Sequence, residues 1–143
     1  MEMSRAASYA FHALAYMAQQ KTNSPVQSHR IAEERGIPKR FLLKVLKPLV
    51  DARILDSVKG PSGGYRLARA LNDVTVLEVI EAADNKKIQG KAPRPEKNEE
   101  EYPNYDPSVS MGVYKKLERV CEAAADHTRR HLDSVKVSEI LKK

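Results

Sequence analysis

The chain has 143 residues, 41% of them hydrophobic, and a formal charge of +6, which suits one compact domain with an accessory element rather than two full domains. A single cysteine, Cys121, excludes an intramolecular disulfide framework and points to the cytoplasm. No apolar run is long enough to span a bilayer, and with no Trp and two Phe the core has to be aliphatic.

Residues 4–20 read as a first helix. Ser4 is placed to cap it, and Ala6, Ala10, Leu14, Met17 and Ala18 form a helical stripe. Arg5 ahead of an Ala-rich run imitates a secretion signal. Glu2 precedes that run, however, and Ser8, Tyr9 and His12 interrupt it, so an amphipathic helix is expected. Thr22, Asn23, Ser24 and Pro25 mark a loop over residues 21–27. Ser28 is then expected to cap a short helix over 29–35 with Ile31 and Ala32 inward, ending at Gly36 in a left-handed C-cap. Pro38 fits the first position of the next helix. From there to about Ala52, Phe41, Leu42, Val45, Leu46, Leu49 and Val50 recur at helical spacing, with Phe41, Leu42, Val45 and Leu46 on the core side. Pro48 cannot donate to the Lys44 carbonyl and should bend or end that helix. Helix, tight Gly turn and helix make a helix-turn-helix. Ile54–Lys59 and Tyr65–Ala68 flank Gly60-Pro61-Ser62-Gly63-Gly64, two short strands around a turn. A hairpin directly after a helix-turn-helix is a wing.

Thr75-Val76-Leu77-Glu78 is a capping box opening a helix to about Asp84. Residues 85–108 carry four of the eight prolines and the acidic run Glu99-Glu100-Glu101, and read as a flexible loop or linker. Helical composition returns over 109–135. Val113, Leu117, Val120 and Ala124 step by four, three and four as in a coiled-coil seam, with Cys121, Ala125, Thr128, Leu132 and Val135 beside it. A helix of about 25 residues is about 37 Å long, and such a seam needs the head or a second copy of itself to cover it. Val74–Ile80 and Val135–Leu141 echo one another, which suggests a closing helix over 138–142. The expected fold is therefore mainly α. Residues 1–84 make a winged helix-turn-helix head, 85–108 a loop, and 109–143 a long dimerisation helix with a short closing one.

The charge is concentrated. Residues 28–69 hold ten Lys or Arg against four acids and so carry the whole excess. A local cationic surplus attracts phosphate polyanions, although taken alone it is equally the signature of a solvated basic surface.

Several segments together resemble the Rrf-type family of bacterial winged helix-turn-helix transcriptional regulators. They are Tyr9-Ala10, Ile31-Ala32-Glu33-Glu34-Arg35-Gly36-Ile37, Phe41-Leu42-Leu43-Lys44-Val45-Leu46, the wing Lys59-Gly60-Pro61-Ser62-Gly63-Gly64-Tyr65, and Val76-Leu77-Glu78-Val79-Ile80. The wing is the most specific of these, and the resemblance covers nearly the whole chain. It implies a homodimer joined by the long helix (Val113, Leu117, Val120, Cys121, Ala124, Leu132 and Val135). It also implies double-stranded promoter DNA as partner, read by the second helix of the motif and the wing. In several members three loop cysteines bind an iron–sulfur cluster. Here residues 85–115 contain no Cys, and Lys115 and Glu118 fall near the ligand positions. A cluster-free member with no cofactor is expected.

In a helix-turn-helix the N-terminal side chains of the second helix lead into the major groove. That selects Pro38, Lys39, Arg40, Leu43 and Lys44. Arg40 is the candidate base reader, because its planar fork matches guanine O6 and N7. Leu43 stands where the family often has a polar residue; it could touch a thymine methyl or read nothing. Lys44 and Lys47 suit phosphate. Ser28 at a helix N-terminus favours phosphate as well as capping, and Ser4, Arg5, Ser8 and Tyr9 match first-helix positions near the DNA backbone. Lys59, Ser62, Gly64, Tyr65 and Arg66 form the wing, whose glycines permit close approach; alone they could equally mark a plain turn.

His127 and His131 stand one helical turn apart, but no third ligand accompanies them, so no metal is expected. Cys121, among Val120, Ala124 and Ala125, reads as a structural thiol, with Arg119 keeping a redox-sensor alternative open. No catalytic constellation is present, so an enzyme is not expected. The rival class is a winged helix used as a protein-interaction module, and a small-molecule or protein effector acting through residues 85–108 is an open expectation. No membrane partner is expected, and the localisation is cytoplasmic, on the nucleoid.

Overall fold

A computed structural model describes residues 1–96 and 100–141 of the chain; Glu99 of the acidic run and Lys142 of the expected closing helix lie outside the described residues. The helices are α1 (Arg5–Ala18), α2 (Ser28–Arg35), α3 (Lys39–Asp51), α4 (Val76–Asp84), α5 (Pro107–Asp133) and α6 (Val137–Leu141), and the strands are β1 (Leu55–Val58) and β2 (Gly64–Leu67). The chain forms two compact units. Met1–Lys87 and the described residues from Leu132 onward make the head, and Ile88–His131 makes the second unit.

In the head, α1 and α3 supply the centre of an aliphatic core. Leu14, Ile31, Leu42, Leu46, Leu49, Ile54, Leu55, Val74, Val79, Ile80 and Val137 are its largest fully buried side chains. The buried face of α1 is Ala7, Ala10, Phe11, Ala13, Leu14 and Met17. Of the expected stripe, Ala6 is half-buried and Ala18 is exposed. Small residues at 7, 10 and 13 let the neighbouring helices approach closely, which is how a core with so few aromatics closes.

Local signals set most element ends. Ser4 caps α1, its Oγ accepting from the Ala7 amide at 3.0 Å. Gly36 takes φ 63, ψ 32 and ends α2, as its place after the last inward residue requires. Thr75 and Glu78 form both halves of the capping box that opens α4. Two caps differ from expectation. Ser28 is the first residue inside α2, behind an N-cap at Gln27, and makes no capping bond. Pro38 is the N-cap of α3 rather than its first turn, with extended ψ 126. Pro48 does not end α3 early: the helix runs three residues further, to Asp51, because a missing amide hydrogen costs only one rung of the ladder.

The hairpin pairs β1 with β2 antiparallel in the register Leu55 with Leu67, Asp56 with Arg66, Ser57 with Tyr65 and Val58 with Gly64. It is fixed to the head by Tyr65 and Val26, whose amides donate to each other's carbonyls at 2.8 Å. The sequence echo has a structural meaning. The Val76 amide donates to the Val135 carbonyl at 2.9 Å, and the Val137 amide donates to the Val74 carbonyl at 2.8 Å. The two like segments therefore pair antiparallel about Thr75 and Lys136. In each, a Glu three residues on, Glu78 or Glu139, accepts the backbone amide at the centre of the bridge.

The second unit is α5 with the segment before it. Asp106 accepts the Ser108 amide at 2.9 Å ahead of Pro107, a capping arrangement. Bonds from Ser108 hold the Asp106 carboxyl below its usual range. Gly90 lies on the backbone of α5, so close that a Cβ there would stand 1.8 Å from the Cys121 carbonyl oxygen. Arg94 lies 5.8 Å from the centre of the Tyr114 ring, and the Tyr114 hydroxyl donates to Glu118 at 2.8 Å. Residues 90–94 are thus laid along α5.

Candidate nucleic-acid interface

The outer face of α3 is built by subtraction. Leu42, Val45, Leu46 and Leu49 are buried, which turns Lys39, Arg40, Leu43, Lys44 and Lys47 to solvent. Three of its four cations, Lys39, Arg40 and Lys44, have no carboxylate partner among the described residues. Lys47 meets Asp51 one turn on at 3.4 Å, an exposed pair that holds little energy. Phe41 departs from the core side expected of it. It is 40% exposed, because it sits beyond the edge of the buried stripe, and the Arg40 guanidinium lies 4.9 Å from the centre of its ring. At an exposed site such a contact contributes about 0.5–1 kcal/mol. Leu43, 44% exposed, has no comparable cover.

The wing stands on the same head. Lys59 and Ser62 are exposed, while Tyr65 and Arg66 are half-buried. Arg66 meets Asp56 across the hairpin at 3.8 Å. Gly64 has φ +145 and lies against the backbone of Val26, so the turn chemistry needs glycine there. A cleft of about 810 Å³ separates the wing tip from α1 and α2, lined among others by Tyr16, Lys21, His29, Arg30 and Ser62. His29 and Arg30 were not among the expected site residues. The sign that would have found them is their position opposite Ile31 and Ala32 on the first turn of α2.

Of the expected first-helix positions, Ser4 is engaged elsewhere. The Ser4 hydroxyl donates to the Asp84 carboxylate, which removes it as a phosphate donor and puts a negative charge beside it. Ser8 and Tyr9 are half-buried; Arg5 is exposed. Behind the wing, Arg69 pairs with Glu78 at 2.9 Å. Partial burial pushes the Glu78 carboxyl up, but the Thr75 amide, the Arg69 guanidinium and the Thr75 hydroxyl together hold it below its usual value.

On α5, Val113, Leu117, Val120 and Ala124 are exposed along one face, whereas Cys121 is half-buried on the side that faces Gly90. Leu132 and Val135 are half-buried and belong to the head unit. His127 and His131 are exposed, and the Arg130 guanidinium lies 3.1 Å from His127 Nδ1. Among the described residues no three His, Cys, Asp or Glu side chains gather in a metal-binding group. A cluster held by three thiolates does not fit a chain with one cysteine, and Glu118 is already engaged by Tyr114. No helix among the described residues is long and apolar enough to cross a membrane.

Comparison with known proteins agrees with this geometry. The regulator IscR of Photobacterium profundum, named as an HTH-type transcriptional regulator, is 35% identical over 96 residues, covering 64% of this chain and 56% of that one. IscR of Vibrio atlanticus is 36% identical over 84 residues, covering 59% and 49%. The chain spans about half the length of the curated relatives it matches. Among solved structures, T. potens IscR superposes with a TM-score of 0.61 at 26% identity over 99% of this chain and 86% of that one. CymR, the global cysteine regulator of B. subtilis, superposes with a TM-score of 0.65 over 99% and 96%, and at 17% identity it speaks for the fold alone. Residues 3–143 match the Rrf2 family profile, described as "Iron-dependent Transcriptional regulator", and the chain belongs to that family of winged-helix transcriptional regulators, which are DNA-binding proteins rather than enzymes.

Proposed function

We propose that this chain binds double-stranded promoter DNA as a homodimer and regulates transcription, with α3 in the major groove and the wing beside it. One observation carries the reading: the outward face of α3 presents Lys39, Arg40 and Lys44 with no carboxylate partner among the described residues, next to a glycine-built wing. A cationic helix face that no neighbouring carboxylate neutralises attracts a polyanion. Arg40 is the guanine reader, Lys44 and Lys47 hold phosphates, and Arg30 joins them from the first turn of α2. The second copy is called for by α5, where Val113, Leu117 and Val120 are each more than half exposed on one face at coiled-coil spacing. With a single cysteine, the signal that controls binding is not read through a thiolate-ligated cluster. The site of action is the cytoplasm, and the regulator is a repressor whose effector meets the second unit.

Fluorescence anisotropy across a salt series tests the reading. The affinity of the full chain for duplex DNA falls steeply as salt rises, and Lys44→Ala flattens the logarithmic slope by about one. Binding that is indifferent to salt would instead favour a protein-interaction module.

A further inference from the structure

The two exposed apolar side chains of α3 are not equivalent. The ring of Phe41 carries the Arg40 guanidinium at 4.9 Å, whereas Leu43, 44% exposed, presents an aliphatic side chain to solvent. At 3.6 residues per turn Leu43 lies about 40° around the helix from Lys39 and Lys47, and about 60° from Arg40. Its neighbours on the helix surface are therefore three cations. An apolar protein surface covering Leu43 would have to bury those charges with it, at heavy desolvation cost. A DNA groove needs them.

What a major groove offers an apolar side chain is the 5-methyl group of thymine. We infer that Leu43 is a specificity-determining residue which reads a thymine methyl beside the guanine taken by Arg40, and that Phe41 is a positioning residue that holds the Arg40 fork over its ring. The inference rests on the DNA-binding reading above. It adds that part of this chain's sequence choice is made by a methyl group rather than by hydrogen bonds. The chemistry required of the duplex is a guanine with a thymine close by in the same half-site, on either strand.

The methyl can be removed from the DNA without touching the protein or the base pairing. A duplex selected by the full-length chain from a randomised library is synthesised with thymine and again with deoxyuridine, first throughout and then position by position. Burying one methyl-sized group is expected to change affinity about fourfold. Wild type therefore binds the uracil duplex more weakly by about fourfold for each methyl contacted, and the effect maps to one or two positions per half-site. Leu43→Ala, at an exposed position outside the core, binds the two duplexes equally at those positions, while Phe41→Ala keeps the thymine preference but loses guanine discrimination. Wild type that binds both duplexes equally would overturn the inference while leaving DNA binding intact. So would a Leu43→Ala variant that retains the wild-type preference for thymine at every position. A chain that selects no sequence from the library would overturn this inference and the proposed function together.

Discussion

Gly64→Ala puts the anchoring of the wing to a quantitative test. Gly64 has φ +145, and an added Cβ would stand 2.3 Å from the Val26 carbonyl oxygen, 2.5 Å from its carbonyl carbon and 2.9 Å from the Gln27 nitrogen. All three obstacles are backbone, so none can rotate away. Relief requires β2 to lift from residue 26, which breaks the two 2.8 Å bonds between Tyr65 and Val26. The conformational strain is about 1–3 kcal/mol, and the two bonds contribute about 0.5–1.5 kcal/mol each. The substitution should therefore cost about 2–6 kcal/mol. Gly60→Ala is the internal control: Gly60 also has positive φ, at +102, but nothing lies within 4 Å of the added carbon. It should show the strain alone, about 1–3 kcal/mol. Urea unfolding of both variants, followed by far-ultraviolet circular dichroism, measures the difference. If Gly64→Ala is no more destabilising than Gly60→Ala, the close approach of wing and head is wrong.

Other outcomes follow from the same geometry. Leu46→Ala, at a fully buried position of α3, should destabilise the head by about 2–5 kcal/mol in the same unfolding assay. Arg40→Ala should cost about 1–3 kcal/mol on a selected duplex and relax sequence choice, whereas Lys47→Ala should weaken all duplexes alike, as competition gel shifts will report. If the proposed dimer forms through α5, Leu117→Glu should leave only monomer in sedimentation velocity without changing the helical signal of the head. The Glu78 carboxyl is held below its usual value, so its contribution to stability is complete above the ordinary carboxylate range and is lost as pH falls through the lowered value. Glu78→Gln should therefore narrow the stability gap between pH 6 and pH 3, read as urea midpoints at about those two values.

The head was legible because its signals are local and agree with one another. Ser4, Gly36 and the Thr75–Glu78 box each state where a helix begins or ends, and the period of Leu42, Val45, Leu46 and Leu49 states which side of α3 is inside. Phe41 was misread because its type suggests burial while its angle on the helix lies past the edge of that stripe, so a neighbouring cation took its ring instead. Ser28 and Pro38 were each displaced by one residue, a shift that periodicity cannot resolve when extended residues precede the helix. The engagement of Ser4 with Asp84 was illegible for a different reason: the partners are 80 residues apart, and only the packing of α1 beside α4 brings them together. The pairing of Val74–Val76 with Val135–Val137 left a trace in the sequence as an echo, but likeness alone does not say that the two copies touch.

Footprinting the wild-type chain on its selected duplex with hydroxyl radicals tests the central claim most directly. Two protected stretches arranged as an inverted repeat, each erased when Arg40 and Lys44 are both replaced by Ala, are the predicted result. Uniform cleavage along the duplex, or protection that survives the double replacement, would contradict it.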